Sequence, residues 1–308
     1  MSQYLFYKNE SILMKVRTDF ICELNQKKLW LRREDLIKEE VKGNKFRKLK
    51  YNLIEAKKFN SNAILTFGGA FSNHLYATAL SGYLNGIKTY GVVRGNEWEE
   101  KIKDSPTLVN CVNYGMELIF VSRETFKKKN DREFWGIIKL NPSKFYIIPE
   151  GGTNELAVKG CSEMLEKKDK IYDVLCCPVG TGGTIRGLIN SSEINQKVIG
   201  FSALNNNLKL DIDRHTDNKK WELINKYTFG GYAKSNNDLI SFINNFRKRF
   251  DVQLDPIYTG KMLYGIFDLI TNNHWYWGRN ILIFHTGGKQ GIEGFNKRQI
   301  KKGLSCII

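Results

Sequence analysis

No apolar run in the chain approaches the roughly 20 residues that a membrane-spanning helix needs. The opening stretch MSQYLFYKNESILMKV has no basic segment leading into an uninterrupted apolar one. A soluble, cytoplasmic protein is the expectation. Proline is scarce, with 5 in 308 residues, and no tract is proline-rich, repetitive or of low complexity, so no extended Pro-rich linker is expected. Histidine is scarcer still at 4, and the six cysteines (Cys22, Cys111, Cys161, Cys176, Cys177, Cys306) form no C-x-x-C pair and no His-Cys ligand spacing. That argues against a zinc site and a dithiol redox motif, and for reduced, mostly buried thiols.

Acidic residues are in deficit, with 32 Asp plus Glu against 48 Lys plus Arg and a net charge of +16. Such a balance can serve phosphate backbones or acidic membranes. Here the lysines are spread along the chain in short groups such as Lys57-Lys58, Lys127-Lys128-Lys129 and Lys167-Lys168, interspersed with acids. No helix-turn-helix, RNA-binding or zinc-finger pattern places a basic face in a groove. Neither a nucleic-acid nor a membrane partner is expected. What the chain does have is 42% hydrophobic residues, enough for one large domain or two smaller ones, each with a core.

Short β-rich runs alternate with helical segments almost throughout, the pattern of parallel strands joined by crossover helices. An α/β fold is predicted, with strands at 63–67, 89–93, 117–121, 145–149, 173–178, 198–203 and 280–285. Four glycine turns follow strand ends: Gly68-Gly69, Gly151-Gly152, Gly180-Thr181-Gly182-Gly183-Thr184 and Gly287-Gly288. In doubly wound sheets ligands bind at that edge, so one shared site is predicted there.

Lys45 lies in Gly43-Asn44-Lys45-Phe46-Arg47-Lys48-Leu49, where a glycine-flanked turn runs into an amphipathic helix carrying Leu49, Leu53, Ile54 and Ala56 at helical spacing. The partial positive charge of a helix start disfavours a second positive charge, and a neutral lysine is a nucleophile toward carbonyl carbon. The ordinary alternative is solvated surface. In Cys176-Cys177-Pro178-Val179-Gly180-Thr181-Gly182-Gly183-Thr184-Ile185-Arg186-Gly187 an apolar strand enters the glycines and an apolar helix leaves them, which suits a bound phosphate. The Gly-Lys-Ser/Thr of a P-loop is absent and Ile185 stands at the third glycine of a dinucleotide fingerprint, so a single phosphate fits better than a nucleotide. A turn serving only strand-to-helix packing remains the alternative. Ser72 and Asn73 read as helix-capping residues whose neighbouring amides would also suit a carboxylate; Asn73 could hydrogen-bond a phenolic oxygen. His74, Tyr258 before a helix start and Thr286 at a strand end complete the candidates.

Taken together and in this order, the motifs resemble the pyridoxal-phosphate enzymes of the tryptophan-synthase-β-like fold, and within them the 1-aminocyclopropane-1-carboxylate deaminase and D-cysteine desulfhydrase family. The anchors are Arg32-Arg33-Glu34-Asp35, Gly43 to Leu49, Gly68-Gly69 with Ser72-Asn73-His74, Pro149-Glu150-Gly151-Gly152, Gly180 to Thr184, Tyr258-Thr259-Gly260-Lys261 and His285-Thr286-Gly287-Gly288. The resemblance implies two doubly wound sheet domains with the cofactor between them: residues 1–48 with 152–308 as the large cofactor-binding domain, and 49–151 as a smaller substrate-side domain. It implies that Lys45 holds pyridoxal 5'-phosphate as a Schiff base, that Gly180, Thr181, Gly182, Gly183 and Thr184 cradle the phosphate, that Asn73 contacts the ring hydroxyl, and that Thr286 stands at the ring nitrogen. Ser72, Asn73, His74, Tyr232 and Tyr258 would meet the substrate, with Lys45, Ser72 and Tyr258 acting in catalysis. Thr259 and Thr286 match the desulfhydrase-like members, so a homodimeric lyase converting D-cysteine to pyruvate, hydrogen sulfide and ammonia is expected. 1-Aminocyclopropane-1-carboxylate deamination is the alternative, and a pyridoxal-phosphate-binding protein without turnover a third. Lys42 and Phe71 depart from the family pattern; Phe71, where a glutamine is common, is expected to border the substrate carboxylate. The chain is also somewhat short for the family, which suggests trimmed loops after Leu204.

Overall fold

The computed structural model describes residues 16–37, 40–59, 63–204, 212–213 and 220–308. The segment directly after Leu204, where trimmed loops are expected, lies outside the described residues. Among those described are two sheets. The chain enters the first through β1 (Thr18–Leu24) and β2 (Lys27–Arg32), an antiparallel hairpin. Its two-residue turn, Asn25 and Gln26, has φ of 46° and 61°, and positive φ at both central residues is what the right-handed twist of a hairpin demands.

After α1 (Asn44–Lys58) the chain builds the second sheet from β3 (Ala63–Gly69), β4 (Lys88–Arg94), β5 (Glu117–Val121) and β6 (Tyr146–Ile148), all parallel in the order β5-β4-β3-β6. Between them run α2 (Asn73–Asn85), α3 (Pro106–Asn113), α4 (Arg123–Lys127) and α5 (Arg132–Ile137). Then α6 (Glu155–Ser162) leads back to the first sheet, with β7 (Val174–Val179), α7 (Gly183–Ser191), β8 (Lys197–Ser202), β9 (Trp221–Ile224), α8 (Asn237–Phe250), α9 (Thr259–Thr271), β10 (Asn280–Phe284) and α10 (Gly291–Ile300). Its order is β1-β2-β10-β7-β8-β9, parallel except for the β1–β2 pair.

Leu29 and Leu31 of β2, Ile281, Leu282 and Ile283 of β10, and Val174, Leu175 and Cys176 of β7 are all fully buried. Strands covered on both faces must be apolar on both, which is why these read as continuous hydrophobic runs rather than alternating ones. All seven expected strands form, with ends shifted by at most two residues. The strands not singled out, β1, β2 and β9, include two that lie at the sheet's edges and are only partly buried, where the hydrophobic signal is weakest.

Buried ion pairs tie the end of β2 to residues 166–169 and the turn after it to α1. Arg32 pairs with Glu166 at 2.8 Å and Asp169 at 2.6 Å, and Glu34 takes Arg47 in a two-point bond at 3.1 and 3.2 Å. Removing one partner would strand a buried charge, so these pairs fix geometry. The second of them clamps the first turn of α1, two residues beyond Lys45. No helix among the described residues is long and apolar enough to cross a membrane.

Candidate active site

The glycine turns after β3, β6, β7 and β10 converge on one cleft. One part of it is lined by Lys45, Gly180, Gly182 and Thr286. A larger part, about 380 Å³, is lined by Ser72, His74, Arg94 and Tyr232. Lys45, Asn73, Gly180, Thr181 and Tyr258 belong to both. Every residue expected to hold the cofactor, meet the substrate or act in catalysis lines this cleft except Gly183, where a Cβ would stand 3.1 Å from Lys48 Nζ, behind the wall; Phe71, expected only to border the carboxylate, is the other exception.

Lys45 is the second residue of α1, after the N-cap Gly43. Desolvation, and after it the ammonium of Lys48, lower its pKa to about 7. The sequence reading assigned that shift to the helix start; the structure assigns it to burial and to a second lysine three residues on. Lys48 is buried and spends its own donors on Gly151 O at 2.9 Å, Thr153 Oγ1 at 3.1 Å and Thr181 Oγ1 at 3.5 Å. Between pH of about 7 and 10.5 the unfolded chain binds a proton at Lys45 that the folded one lacks, so this residue's share of stability rises with pH across that window. Reaction of the protein with a small aldehyde, followed by reduction and peptide mapping, should therefore label Lys45 with a midpoint near pH 7. Lys48→Met should move that midpoint upward, because a like charge is gone. An ordinary lysine midpoint in the native protein would contradict the assignment.

Gly182, at φ +86°, is the N-cap of α7, and the first-turn amides of a helix have no partner within it. Together with the helix dipole they form an anion cradle at the end of β7. Asn44 Nδ2 donates to Thr184 Oγ1 at 3.0 Å, tying the lysine loop to this cradle. Asn44 N donates to Thr286 O at 3.2 Å, tying it also to the end of β10. Opposite, Asn73 Oδ1 is buried without a hydrogen-bond partner among the described residues. A buried polar atom left so is costly, and it is an acceptor that a bound donor could satisfy.

Ser72 is the N-cap of α2, its Oγ accepting from His74 N and Leu75 N at 3.2 Å each. His74 is buried; its Nε2 lies 2.8 Å from Thr66 Oγ1, which donates to Ile148 O at 2.8 Å. Thr66 must then accept from His74, which assigns the ring proton to Nε2. Burial, then Lys45 and Lys48, push the His74 pKa well below its ordinary value. His74 is thus a neutral ring that anchors α2 against β3. Burial and the adjacent Tyr232 phenol keep Tyr258 protonated, the two rings lying 6.2 Å apart.

Two residues move out of the site. Phe71 lines no part of the cleft: its ring packs edge-on against Trp98 at 5.1 Å and lies under Arg298 at 4.3 Å. Thr259 is buried and bonded to Asp255, its amide at 2.9 Å and its hydroxyl at 2.6 Å from Oδ2. Of the positions read as setting the substrate, only Thr286 faces the cleft.

Four residues in or supporting this cleft were not singled out from the sequence. Lys48 had a signal, sharing a helix face with Lys45 at i,i+3. Asp255 caps α9 and holds Tyr258 through its amide at 2.8 Å; an aspartate before Pro256 and Thr259 is a capping pattern. Lys261, buried in α9, donates to Thr228 O and Gly231 O at 2.8 Å each, fixing the loop that carries Tyr232. Arg94 carries no local signal.

Two sheets with a glycine cradle, a desolvated lysine and an unsatisfied asparagine between them define the tryptophan-synthase-β-like pyridoxal-phosphate fold. A solved structure described as an ACC deaminase homologue has this fold, with a TM-score of 0.79, 24% identity and 94% of each chain covered. The chain belongs to the family of pyridoxal-phosphate-dependent enzymes, whose pattern matches residues 16–287. Within it the chain is similar to the mitochondrial bifunctional D-cysteine desulfhydrase/1-aminocyclopropane-1-carboxylate deaminase of Arabidopsis thaliana, at 29% identity over 87% of this chain and 74% of that one. It is also similar to the D-cysteine desulfhydrase of Klebsiella pneumoniae subsp. pneumoniae, at 24% identity over 88% and 89%.

Proposed function

We propose that this protein is a lyase that deaminates a small amino acid by β-elimination, with D-cysteine converted to pyruvate, hydrogen sulfide and ammonia. The observation that carries the reading is the convergence, in one cleft, of a lysine poised to be neutral, an anion cradle and an uncharged hydroxyl, Thr286. Lys45 would hold the aldehyde carbon of pyridoxal phosphate, residues 180–184 its phosphate, Asn73 its ring hydroxyl and Thr286 its ring nitrogen. When bound, the cofactor supplies a sink for the electron pair left at the substrate's Cα.

The protein's own groups do the rest. Ser72 Oγ, which accepts from the His74 and Leu75 amides, keeps its proton to donate to the α-carboxylate at the start of α2. Lys45, half neutral near pH 7, takes the Cα proton. Tyr258, held protonated, returns a proton to the departing group. A neutral hydroxyl at the ring nitrogen makes a weaker sink than a carboxylate there would, sufficient where a good leaving group departs from Cβ; opening a cyclopropane asks more. The division into 1–48 with 152–308 and 49–151 belongs to the same proposal, with the smaller part closing over the substrate.

Ammonia and 2-oxo acid release should be measured with D-cysteine and with 1-aminocyclopropane-1-carboxylate. Pyruvate with stoichiometric sulfide from D-cysteine is expected. Turnover of the cyclopropane alone would replace this reading with the deaminase, and release from neither, nor from other β-substituted amino acids, would leave a cofactor-binding protein without turnover.

A further inference from the structure

β10 runs into His285-Thr286-Gly287-Gly288, and the histidine of that motif, fully buried, has no part in the chemistry above. Its backbone continues the sheet, N donating to Arg32 O at 2.9 Å and O accepting from Asp35 N at 3.2 Å. Both ring nitrogens are used as well. Nδ1 accepts from Gly287 N at 3.2 Å, and Nε2 lies 2.8 Å from the carbonyl of Gln253, on the segment between α8 and α9. An amide N–H only donates and a carbonyl only accepts, so Nδ1 is bare, Nε2 carries the proton and the ring is neutral.

The charges around the ring leave it in that state. Asp35, from the turn after β2, has Oδ1 at 3.7 Å from Nδ1, beyond hydrogen-bond reach, and is already taken by Arg33 at 2.8 and 3.0 Å and by Lys289 at 3.0 Å. Asp255 spends Oδ1 on the amides of Ile257 and Tyr258 and Oδ2 on Thr259. Burial lowers the His285 pKa; Asp35, the Gln253 carbonyl and Asp255 oppose that and Arg33 adds to it, which leaves it below its ordinary value. The ring thereby joins the segments that carry Thr286 and Tyr258. Gly287 follows Thr286 directly, and Gln253 stands two residues before Asp255, which holds Tyr258 by its amide at 2.8 Å. Gly287 and Gly288, at φ +92° and +104°, are conformationally free by themselves. An outside group must fix their turn.

We propose that His285 is a positioning residue whose neutral imidazole ties the Thr286-Gly287 turn to the Gln253–Asp255 segment, and so fixes the spacing between the hydroxyl at the cofactor's ring nitrogen and the proton donor Tyr258. What those two residues do rests on the lyase reading above. A second proton on the ring would turn Nδ1 from an acceptor into a donor facing the Gly287 amide, and that bond would break. Substitution can break the two bonds one at a time. The side-chain amide of asparagine reaches the position of Nδ1 and that of glutamine the position of Nε2. His285→Asn therefore keeps an acceptor for Gly287 and loses Gln253, while His285→Gln keeps a donor for Gln253 and loses Gly287.

Three measurements on the cofactor-loaded protein test this. The chain has four histidines, so the ring nitrogens of His285 can be assigned by nitrogen-15 NMR after substitution of the other three. They should show a bare Nδ1 and a protonated Nε2, unchanged from pH 8 down to pH of about 5.5, a unit below where a free histidine titrates. The opposite tautomer, or a second proton taken up near pH of about 6.5, would overturn the neutral bridge. His285→Gln should weaken pyridoxal-phosphate binding about tenfold and shift the absorbance maximum of the bound cofactor, because Thr286 is released. His285→Asn should leave that affinity within about twofold and lower kcat about tenfold with KM little changed, because Tyr258 is displaced. Equal effects of the two variants on affinity, spectrum and kcat would reduce His285 to a packing residue and overturn the proposal. If the variants split as expected in affinity and spectrum while the native protein releases ammonia from no β-substituted amino acid, the lyase reading fails and the bridge stands.

Discussion

Lys45→Ala is expected to abolish the absorbance band that pyridoxal phosphate acquires on condensing with the protein, and to lower turnover by about 10³-fold or more, since both the covalent attachment and the Cα base are lost. Lys48 is the nearest possible substitute and is not free to act as one. It is 3% exposed, and its ammonium is bonded to Gly151 O, Thr153 Oγ1 and Thr181 Oγ1. The fold should survive, because truncation removes a desolvated amine rather than a core packing group. Circular dichroism and a thermal melt of the cofactor-free variant would check this, with a midpoint equal to or above that of the native protein. An unchanged absorbance band in Lys45→Ala would move the attachment to another lysine.

The second large effect concerns Gly43. At φ +67° and ψ −155° it occupies a region that is essentially glycine's alone. A Cβ there would lie 2.1 Å from Thr286 O, 2.8 Å from Thr286 C and 3.2 Å from Gly287 Cα, all backbone atoms. Neither chain can withdraw without breaking the bond from Asn44 N to Thr286 O at 3.2 Å. Gly43→Ala should therefore cost about 3 kcal/mol or more, from backbone strain and overpacking together. It should also displace Lys45 from Thr286 and weaken cofactor binding. Gly86→Ala is the control: φ is +64° there too, but nothing lies within 4 Å of the added Cβ. Left-handed strain alone makes that loss about 1 kcal/mol. Urea unfolding of both variants separates the terms, and equal losses would refute the role given to close approach.

Much of this site was legible because its signals are local. Glycines after strand ends, Ser72 before a helix and Lys45 one residue into another are patterns written within a few positions, and they occur in an order that a known family shares. Legibility failed where a side chain's direction depends on a distant partner. Phe71 sits beside Ser72 in sequence, but α10 and Trp98 offer its ring an apolar bed away from the cleft. Thr259 sits beside Tyr258, yet Asp255 draws its hydroxyl inward. Arg94 ends a strand in a way that carries no pattern, and only the parallel pairing of β3 with β4 lays it over Gly69.

The sequence by itself determined the α/β class, the strand-end glycines and the lysine, since hydrophobic runs and turn residues act over short range through sterics and burial. The tertiary structure alone decided why that lysine loses its proton and which candidates face the cleft. Those properties are sums over groups brought together from far apart in the chain, as Asn44 meets Thr184 and Lys48 meets Gly151. Desolvation exists only once the elements have packed.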